Sequence, residues 1–281
     1  MGSIDMSPAL GNQQPPPPYD LYHNPFSICA LQVRLCILFG KLAGLEAPGI
    51  EFIEHEIDIY NSGQLQEFYL CQVNPRGQVP ALVNKAVLPE PIADSMEITY
   101  YLFELYPSLC PPQHAATIRK LIQELHGISF LALAFFKPRH QAYIKNITSY
   151  IDERLARADI SVEYRNALEW KHNYDTSQQQ PQVDDESCRQ ANEDSRKYLE
   201  KVEAVRVQHA TEGSLWLFGG EHPTALDAHV AVFVARLQET EHEDLIPEGV
   251  NQWAKPVMAL PEWETLLKGK PTHYSVNNRT F

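Results

Sequence analysis

The 281-residue chain lacks several features that would assign it to particular classes of protein. Basic residues are few: 23 Lys and Arg stand against 36 Asp and Glu, giving a net charge of −13. That balance argues against a nucleic acid or an anionic membrane as partner. No apolar run could span a bilayer, since the longest covers only residues 127–136, and the N-terminus has no basic-then-apolar signal pattern. These absences favour a cytoplasmic protein whose partners are small molecules or proteins.

Patterns for disulfides and metal sites are missing too. The cysteine count is odd and includes no C-x-x-C pair, which predicts reduced thiols in the cytosol. The sequence has no H-x-x-x-H or H-E-x-x-H motif, so no metal is implied. The five cysteines are Cys29, Cys36, Cys71, Cys110 and Cys188.

After a proline-rich tail over residues 1–18, predicted to be disordered, the chain shows the pattern of a βαβ unit. Tyr19–His23 is predicted to be a strand, and helical spacing of leucines predicts a helix from Cys29 to about Ala43, closed by Gly44. Ile50–Ile59 alternates as a second strand, parallel to the first.

The unit continues to residue 106. A helix is predicted over Gln64–Cys71, a strand at the end of Asn74–Leu82, a short strand near Ala86–Ile92 and a helix over Ser95–Tyr106. The order β-α-β-α-β-β-α predicts a thioredoxin-like α/β domain over residues 19–106.

The rest of the chain predicts an all-α domain over residues 114–281, after a proline-punctuated linker at 107–113. A solvated polar loop is expected near 174–190, centred on Gln178–Glu186. The predicted helices are His114–Phe136, Pro138–Asn173, Ala191 to about Ala210, Ala225–Arg236 and Pro247–Lys268.

Within Asn74–Leu82, the pair Val79-Pro80 is the feature that says most about a ligand site. Proline has no N–H and belongs at the first residue of a strand, and X–Pro is the common place for a cis peptide bond. A cis bond would turn the backbone N–H and C=O of Val79 outward, where a peptide-like ligand could pair with them as a strand does.

Four separated motifs resemble the cytosolic glutathione transferase superfamily, over residues 19–272. They are Ser27–Arg34, similar to the serine-type motif of the zeta and tau classes, Gln78–Leu82, Asp94–Leu102 and Phe218–Asp227. The run Asn24–Cys29 resembles fungal members associated with secondary metabolism. The resemblance implies a thioredoxin-like domain followed by a helical domain, glutathione as the bound thiol, and a homodimer.

For Ser27, the resemblance implies a catalytic hydroxyl that donates a hydrogen bond to the glutathione sulfur and favours the thiolate. The alternative is that Ser27 only caps the first helix. Cys29 stands one helical step inward, where an acidic thiol could form mixed disulfides, although a buried inert thiol fits that position as well. Asn24 is a minor candidate in the same loop.

Glutathione itself would be held by Gln78, Val79, Pro80, Asp94 and Ser95. The start of the helix at Asp94 offers free N–H groups to the γ-glutamyl carboxylate, and Asp94 could take the ammonium group. The same residues could form a plain capping box with Glu97 at its third position. Gln78 is expected at the glycyl end, where Gln66 is a possible helper.

A second substrate would lie between the domains, against Phe26, His126 and Phe130, with Phe136 as a further candidate. Phenylalanines at these positions could equally be core, whereas a histidine facing the cleft could move a proton at neutral pH. Thr224 and Asp227 are expected to form a structural capping box.

The resemblance therefore predicts an enzyme that adds the glutathione thiolate to an electrophilic small molecule, and the likeness to fungal members implies a role in secondary-metabolite tailoring. Two alternatives stay open: a glutathione-dependent cis–trans isomerase, and a non-catalytic carrier or interaction module that keeps the fold. A thiol-disulfide reductase acting through Cys29 is a third.

Overall fold

The computed structural model describes residues 17–44, 49–134, 136, 144 and 148–274. The predicted tail therefore lies outside the described residues except for Pro17 and Pro18. In the described ranges, no helix combines the length and apolar character that crossing a membrane requires.

Three strands form a small mixed sheet: β1 (Tyr19–His23), β2 (Phe52–Glu56) and β3 (Ala81–Val83), in the order β2-β1-β3. β1 runs parallel to β2, as predicted, and antiparallel to β3. Side chains of β1 are alternately buried and half-buried, as expected for a strand with one face against a helix.

Helix α1 (Ile28–Leu42) connects the parallel pair, and α2 (Ser95–Leu105) follows the sheet. Gly44 adopts a φ of 62° and ends α1 as expected. A close approach explains Gly40, because a Cβ there would lie 2.4 Å from the ring Cγ of Tyr106.

Two details of this domain differ from the prediction. Ala86–Ile92 is not a strand, and only Ile92 forms a bridge, to Leu82. Pro89 and Pro91 lack the N–H groups that a ladder needs, which accounts for the difference. The predicted helix Gln64–Cys71 is a 3₁₀ turn over Gly63–Leu65 followed by a π turn over Tyr69–Val73.

The remaining described elements are helical, which confirms the predicted class of a thioredoxin-like domain followed by an all-α domain. They are α3 (Ala115–His126), α4 (Phe130–Ala134), α5 (Ser149–Leu155), α6 (Val162–Tyr174), α7 (Asp185–His209), α8 (Ala225–Glu239), α9 (Glu248–Val257) and α10 (Pro261–Leu267). Helix α8 is buried from Ala225 to Leu237 and packs against α1, so it joins the two domains.

Three predicted helices are interrupted within the described residues. His114–Phe136 breaks after His126, where Gly127 ends α3 and the Ser129 hydroxyl accepts from Ala132 N at 3.1 Å to cap α4. Within Pro138–Asn173, much of the first part lies outside the described residues, and Ser161 starts α6 as its N-cap. Pro247–Lys268 breaks before Pro261, which begins α10.

The predicted polar loop near 174–190 is largely helical. A π turn over Asp175–Gln179 and a 3₁₀ turn over Gln180–Val183 extend α6, and α7 begins at Asp185, six residues before the predicted Ala191. Asp184 caps α7 by accepting from Ser187 N at 2.7 Å. The acidic run therefore marks a helix N-terminus rather than a solvated loop.

Candidate functional site

A cleft of about 410 Å³ lies between the two domains. The thioredoxin-like domain contributes the loop before α1, the segment before β3 and the start of α2. The helical domain contributes parts of α3, α4, α6 and α8, together with His273 near the C-terminus. The nine residues predicted to bind or act on substrates all line this cleft: Phe26, Ser27, Gln78, Val79, Pro80, Asp94, Ser95, His126 and Phe130.

Ser27 is the N-cap of α1 and is half-buried. Its Oγ accepts from Ala30 N at 3.4 Å, a long hydrogen bond that leaves the hydroxyl proton available to another acceptor. Capping and donation to a ligand sulfur are therefore compatible at this residue.

Asn24 shapes the turn that presents Ser27. Its Oδ1 accepts from Phe26 N at 2.9 Å and its Nδ2 donates to Ile57 O at 2.9 Å, and the side chain is buried. Because both ends of the amide are engaged within the protein, Asn24 holds the loop in place.

The peptide bond between Val79 and Pro80 is cis, as predicted. The carbonyl oxygen of Gln78 accepts from Tyr69 Oη and from Asn74 Nδ2, each at 2.7 Å, which fixes the segment. In the described part of the chain, the backbone N–H and C=O of Val79 bond to no other backbone group. A half-buried N–H and C=O pair at the wall of a cleft suits an extended peptide ligand.

At the start of α2, Asp94 is the N-cap and accepts from Met96 N at 2.9 Å and Glu97 N at 3.2 Å. This is the Asp94 half of the expected capping box. Arg76 lies at the edge, with Nη1 4.0 Å from Asp94 Oδ2. The next residue, Ser95, is buried and faces Cys29.

The Cys29 thiol is protonated at neutral pH. Burial raises its pKa, against smaller opposite contributions from a hydrogen bond with Ser95 and from the charge of Arg236. All five cysteines are free thiols. Among the described residues, no group of three His, Cys, Asp or Glu side chains could hold a metal ion.

Aromatic groups line the part of the cleft where the sequence predicts a second substrate. The His126 and Phe130 rings contact each other edge to face, with centroids 6.1 Å apart, and Phe26 stands at the mouth of the cleft beside Tyr60 and Tyr274. Phe136, the further candidate, packs on His242, with centroids 4.9 Å apart.

Comparison with known proteins agrees with the geometry. No protein-family model matches the chain. Glutathione S-transferase TCHQD of Arabidopsis thaliana is 23% identical over 268 residues, covering 93% of this chain and 90% of the relative.

Solved structures give the same result. A bacterial zeta-class glutathione S-transferase, maleyl pyruvate isomerase, superposes with a TM-score of 0.55 at 14% identity, covering 91% of this chain and 100% of its own. A glutathione transferase homologue from Sulfitobacter, solved with bound glutathione, superposes with a TM-score of 0.53 at 16% identity, covering 89% and 97%. The chain therefore has the fold of cytosolic glutathione transferases.

This transferase-like chain has cleft residues that sequence reasoning missed. Arg236 of α8 is buried, and it donates to Phe26 O at 2.8 Å and to the carbonyl oxygen of Thr272. Arg236 makes no ion pair within the described ranges. A buried cation therefore contacts Phe26, the residue before Ser27. An arginine near the end of a long apolar helix is the signal that could have drawn attention to it.

A second buried cation belongs to α6. Lys171 Nζ lies 2.7 Å from Asp175 Oδ1, with side chains only 4% and 1% exposed. Burial lowers the pKa of Lys171 and raises that of Asp175, while their mutual attraction opposes both shifts. Lys171 packs against Gly77, and Tyr174 Oη lies 3.5 Å from Gln78 Nε2, so α6 of this glutathione transferase fold covers one end of the cleft.

At that end, Gln64 lines the cleft and its Oε1 is buried without a hydrogen-bond partner among the described residues. Gln66, the residue suggested as helper at the glycyl end, is exposed instead. Gln64 is thus the better candidate of the two.

The box of Thr224 and Asp227 forms as expected, outside the cleft. Thr224 N and Oγ1 both donate to Asp227 Oδ2 at 2.7 Å, and Leu217 N donates to Oδ1 at 2.8 Å. It ties the start of α8 to the preceding loop.

Proposed function

We propose that the protein binds glutathione, uses Ser27 to favour its thiolate, and adds that thiolate to an electrophilic small molecule. The observation that carries the proposal is the convergence on one cleft of a free backbone pair at Val79, the hydroxyl of Ser27 and the start of α2. These are the groups that a peptide thiol needs for its main chain, its sulfur and its carboxylate.

The energetics of thiol activation are within reach of these groups. Lowering a thiol pKa by about two units takes roughly 2.7 kcal/mol of preferential thiolate stabilisation. A charge-assisted hydrogen bond from Ser27 supplies about 1.5–3 kcal/mol, and the N-terminus of α1 adds about 0.3–1 kcal/mol. The guanidinium of Arg236, held beside the same loop, adds positive potential.

Glutathione would lie along Val79, with its γ-glutamyl carboxylate at the N–H groups of α2 and its glycyl end toward Gln64 and Gln78. The likeness to a structure that contains bound glutathione, and to a curated relative named as a glutathione S-transferase, supports this arrangement. A cytoplasmic location, a homodimer and a role in secondary metabolism stay predictions from the resemblance.

Cis–trans isomerisation is the second candidate function. It is supported by the superposition on maleyl pyruvate isomerase, and it needs the same thiolate, which would add to a double bond and leave after rotation. The apolar wall at Phe26 and Phe130 suits a planar unsaturated substrate under either reaction.

Ser27→Ala tests the mechanism. Removal of the hydroxyl should lower kcat/KM for glutathione and 1-chloro-2,4-dinitrobenzene by about 10- to 100-fold, the rate equivalent of one charge-assisted hydrogen bond. The thiolate absorbance of bound glutathione, followed against pH, should shift toward higher pH, while the dissociation constant from calorimetry changes little because the sulfur contributes a small part of the contact.

Cys29→Ser is the matched variant, two residues further along the chain. It should leave the rate within about twofold, since burial keeps that thiol protonated. Unchanged turnover in Ser27→Ala would reject the mechanism. Loss of activity confined to Cys29→Ser would indicate a thiol-disulfide reductase, and a wild-type protein that does not bind glutathione would indicate a carrier.

A further inference from the structure

A chain of hydrogen bonds runs from α2 through α8 to the wall of the cleft. Thr99 Oγ1 lies 2.8 Å from Ser95 O and 3.1 Å from His229 Nε2. His229 Nδ1 lies in turn 3.4 Å from His126 Nε2. Thr99 and His229 are fully buried, whereas His126 is half-buried and lines the cleft.

One placement of protons satisfies every bond in this chain. The carbonyl of Ser95 can only accept, so the Thr99 hydroxyl donates to it and must accept from His229. Nε2 of His229 therefore carries a proton. Burial, reinforced by the neighbouring His126, lowers the pKa of His229 well below its usual value, so the ring is neutral and Nδ1 is a lone pair. That lone pair accepts from Nε2–H of His126.

The tautomer of His126 follows. Burial lowers its pKa, with an opposite contribution from Asp94, so this ring is neutral as well. A neutral ring with its proton on Nε2 has a lone pair on Nδ1, which bonds to no other described residue. A histidine at a cleft wall thus presents a fixed proton acceptor.

We infer that His126 is the proton carrier for the second substrate, held in its Nε2–H tautomer by Thr99 and His229. The inference rests on the proposed function and assigns the proton transfer that addition of a thiol to an α,β-unsaturated carbonyl compound requires. His126 is a catalytic residue in this account, and Thr99 and His229 are positioning residues.

The chemistry balances without a co-reactant. The S–H proton of glutathione passes to Nδ1 of His126, the sulfur forms a bond to the β-carbon, and the C=C electrons move to the carbonyl oxygen. Nδ1–H then returns its proton to the α-carbon of the enolate, so sulfur and hydrogen have added across one double bond. Displacement of halide from an aromatic ring loses a halide ion and returns no proton to the substrate, so it draws less on His126.

The surroundings of the His126 ring are suited to a reversible proton acceptor. The titratable groups that act on it are the Asp94 carboxylate from α2 and His229 from α8. From α4 it meets the apolar ring of Phe130. The carboxylate can stabilise the imidazolium while the proton is held, and the neutral His229 ring keeps accepting from Nε2.

The test compares two reactions in one set of variants. kcat/KM is measured with trans-2-hexenal and with 1-chloro-2,4-dinitrobenzene. In His126→Gln, whose amide can still donate to His229, the hexenal value should fall by about 10²-fold, the usual contribution of a general acid–base group. This fold-decrease in kcat/KM should be at least ten times larger than the fold-decrease measured with 1-chloro-2,4-dinitrobenzene. His242→Gln, which alters a buried histidine bonded to Leu133 O, is the control and should leave both rates unchanged.

The positioning residues have a separate readout. Thr99→Val replaces the acceptor for His229 Nε2–H by a methyl group. The neutral His229 ring is then more stable with its proton on Nδ1, from which it can donate to His126, so the hydrogen bond between the two histidines reverses its direction. Nitrogen chemical shifts of the histidine rings should report Nε2–H tautomers for His126 and His229 in the native protein and in Thr99→Ser. They should report Nδ1–H in Thr99→Val, with kcat for hexenal lowered and KM retained.

Equal losses in the two assays for His126→Gln, or no loss in either, would overturn the inference, and so would Nδ1–H tautomers in the native protein. Ser27→Ala separates this failure from that of the proposed function. If Ser27→Ala is as active as wild type in both assays, the thiol-activation mechanism fails and the inference fails with it. If Ser27→Ala is impaired in both but His126→Gln loses both rates equally, only the proton carrier is rejected.

Discussion

Replacing Lys171 by methionine should destabilise the protein more than replacing both members of its buried ion pair. Lys171 Nζ and Asp175 Oδ1 are 2.7 Å apart, and the two side chains are 4% and 1% exposed. Without the ammonium group, the Asp175 carboxylate is left buried with no counter-charge. Breaking a buried pair in this way costs about 3–5 kcal/mol.

The double variant Lys171→Met/Asp175→Leu should recover most of that loss. Burial disfavours both charged forms, since it lowers the pKa of Lys171 and raises that of Asp175. Much of the attraction between them therefore offsets desolvation rather than adding to stability. A pair of apolar side chains of similar volume carries no such desolvation cost, so the double variant should unfold within about 1–2 kcal/mol of wild type.

Urea unfolding of wild type, the two single variants and the double variant forms a double-mutant cycle. The expected coupling between the two sites is about 3 kcal/mol, and Lys171→Met alone should lower Tm by on the order of 10 °C. The control is the exposed pair Lys197–Glu193, 2.6 Å apart with side chains 59% and 45% exposed, whose removal should change stability little because water screens it.

A structural consequence should accompany the loss of stability. Lys171 packs against Gly77, where an added Cβ would lie 3.3 Å from its Cε, and so holds α6 over the Gln78 end of the cleft. Glutathione affinity should fall in Lys171→Met at temperatures where the variant is still folded. If the single and double variants lose equal stability, or the single variant loses none, the reasoning about desolvation is wrong.

Two further predictions concern stability alone. Asp227 is fully buried and accepts from two backbone N–H groups and the Thr224 hydroxyl, so Asp227→Ala leaves three donors unsatisfied. The free energy of unfolding in urea should fall by about 3 kcal/mol or more, while the glutathione affinity of the remaining folded protein stays unchanged. A large affinity loss at normal Tm would contradict this. His23 is buried, and burial together with the charge of Arg34 lowers its pKa from 6.5 to about 4. Between those pH values the unfolded chain therefore binds more protons than the folded protein, so stability is lost as pH falls from 6.5 to 4, by up to about 3 kcal/mol. In His23→Gln, the free energy of unfolding should depend less steeply on pH over this range. An equally steep dependence in the variant would exclude His23 as the cause.

The features predicted best from the sequence depend on residues close together in the chain. Ser27 at the start of α1, the cis bond at Val79-Pro80, and the box of Thr224 and Asp227 each need only a turn and its neighbours. Their local geometry follows from side-chain capping and from the tertiary amide of the X–Pro bond, in which cis and trans are close in energy. The same locality explains why residue type and spacing located these motifs.

Helix breaks were predicted less well, although local signals exist. Gly127 and Ser129 end one helix and cap the next, and Ser161 caps a third, yet apolar spacing continues across each break and favours a single long helix. The sequence around Asp184 predicted a solvated loop because charge alone does not distinguish a loop from an acidic first helical turn.

Contacts between distant residues could not be predicted from the sequence. Arg236 meets Phe26 across 210 positions, and His229 meets Thr99 across 130. Neither pair has a spacing that local periodicity can detect, and which side of α8 faces α1, α2 or the cleft depends on packing between the domains. A buried arginine or histidine in an apolar helix is a local sign that some partner exists, but not which one.

The electrostatics of the cleft run against those of the whole chain. The net charge of −13 would repel an anionic tripeptide at long range, but the Debye length at physiological ionic strength is about 8 Å, so distant carboxylates are screened. Within that distance, a tripeptide bound as proposed would meet the N-termini of α1 and α2 and the guanidinium of Arg236. The nearest carboxylates are already engaged, Asp94 by two backbone N–H groups and Asp175 by Lys171. The proposed binding of an anion by this acidic protein therefore depends on short-range donors fixed by the fold, which the net charge does not reveal.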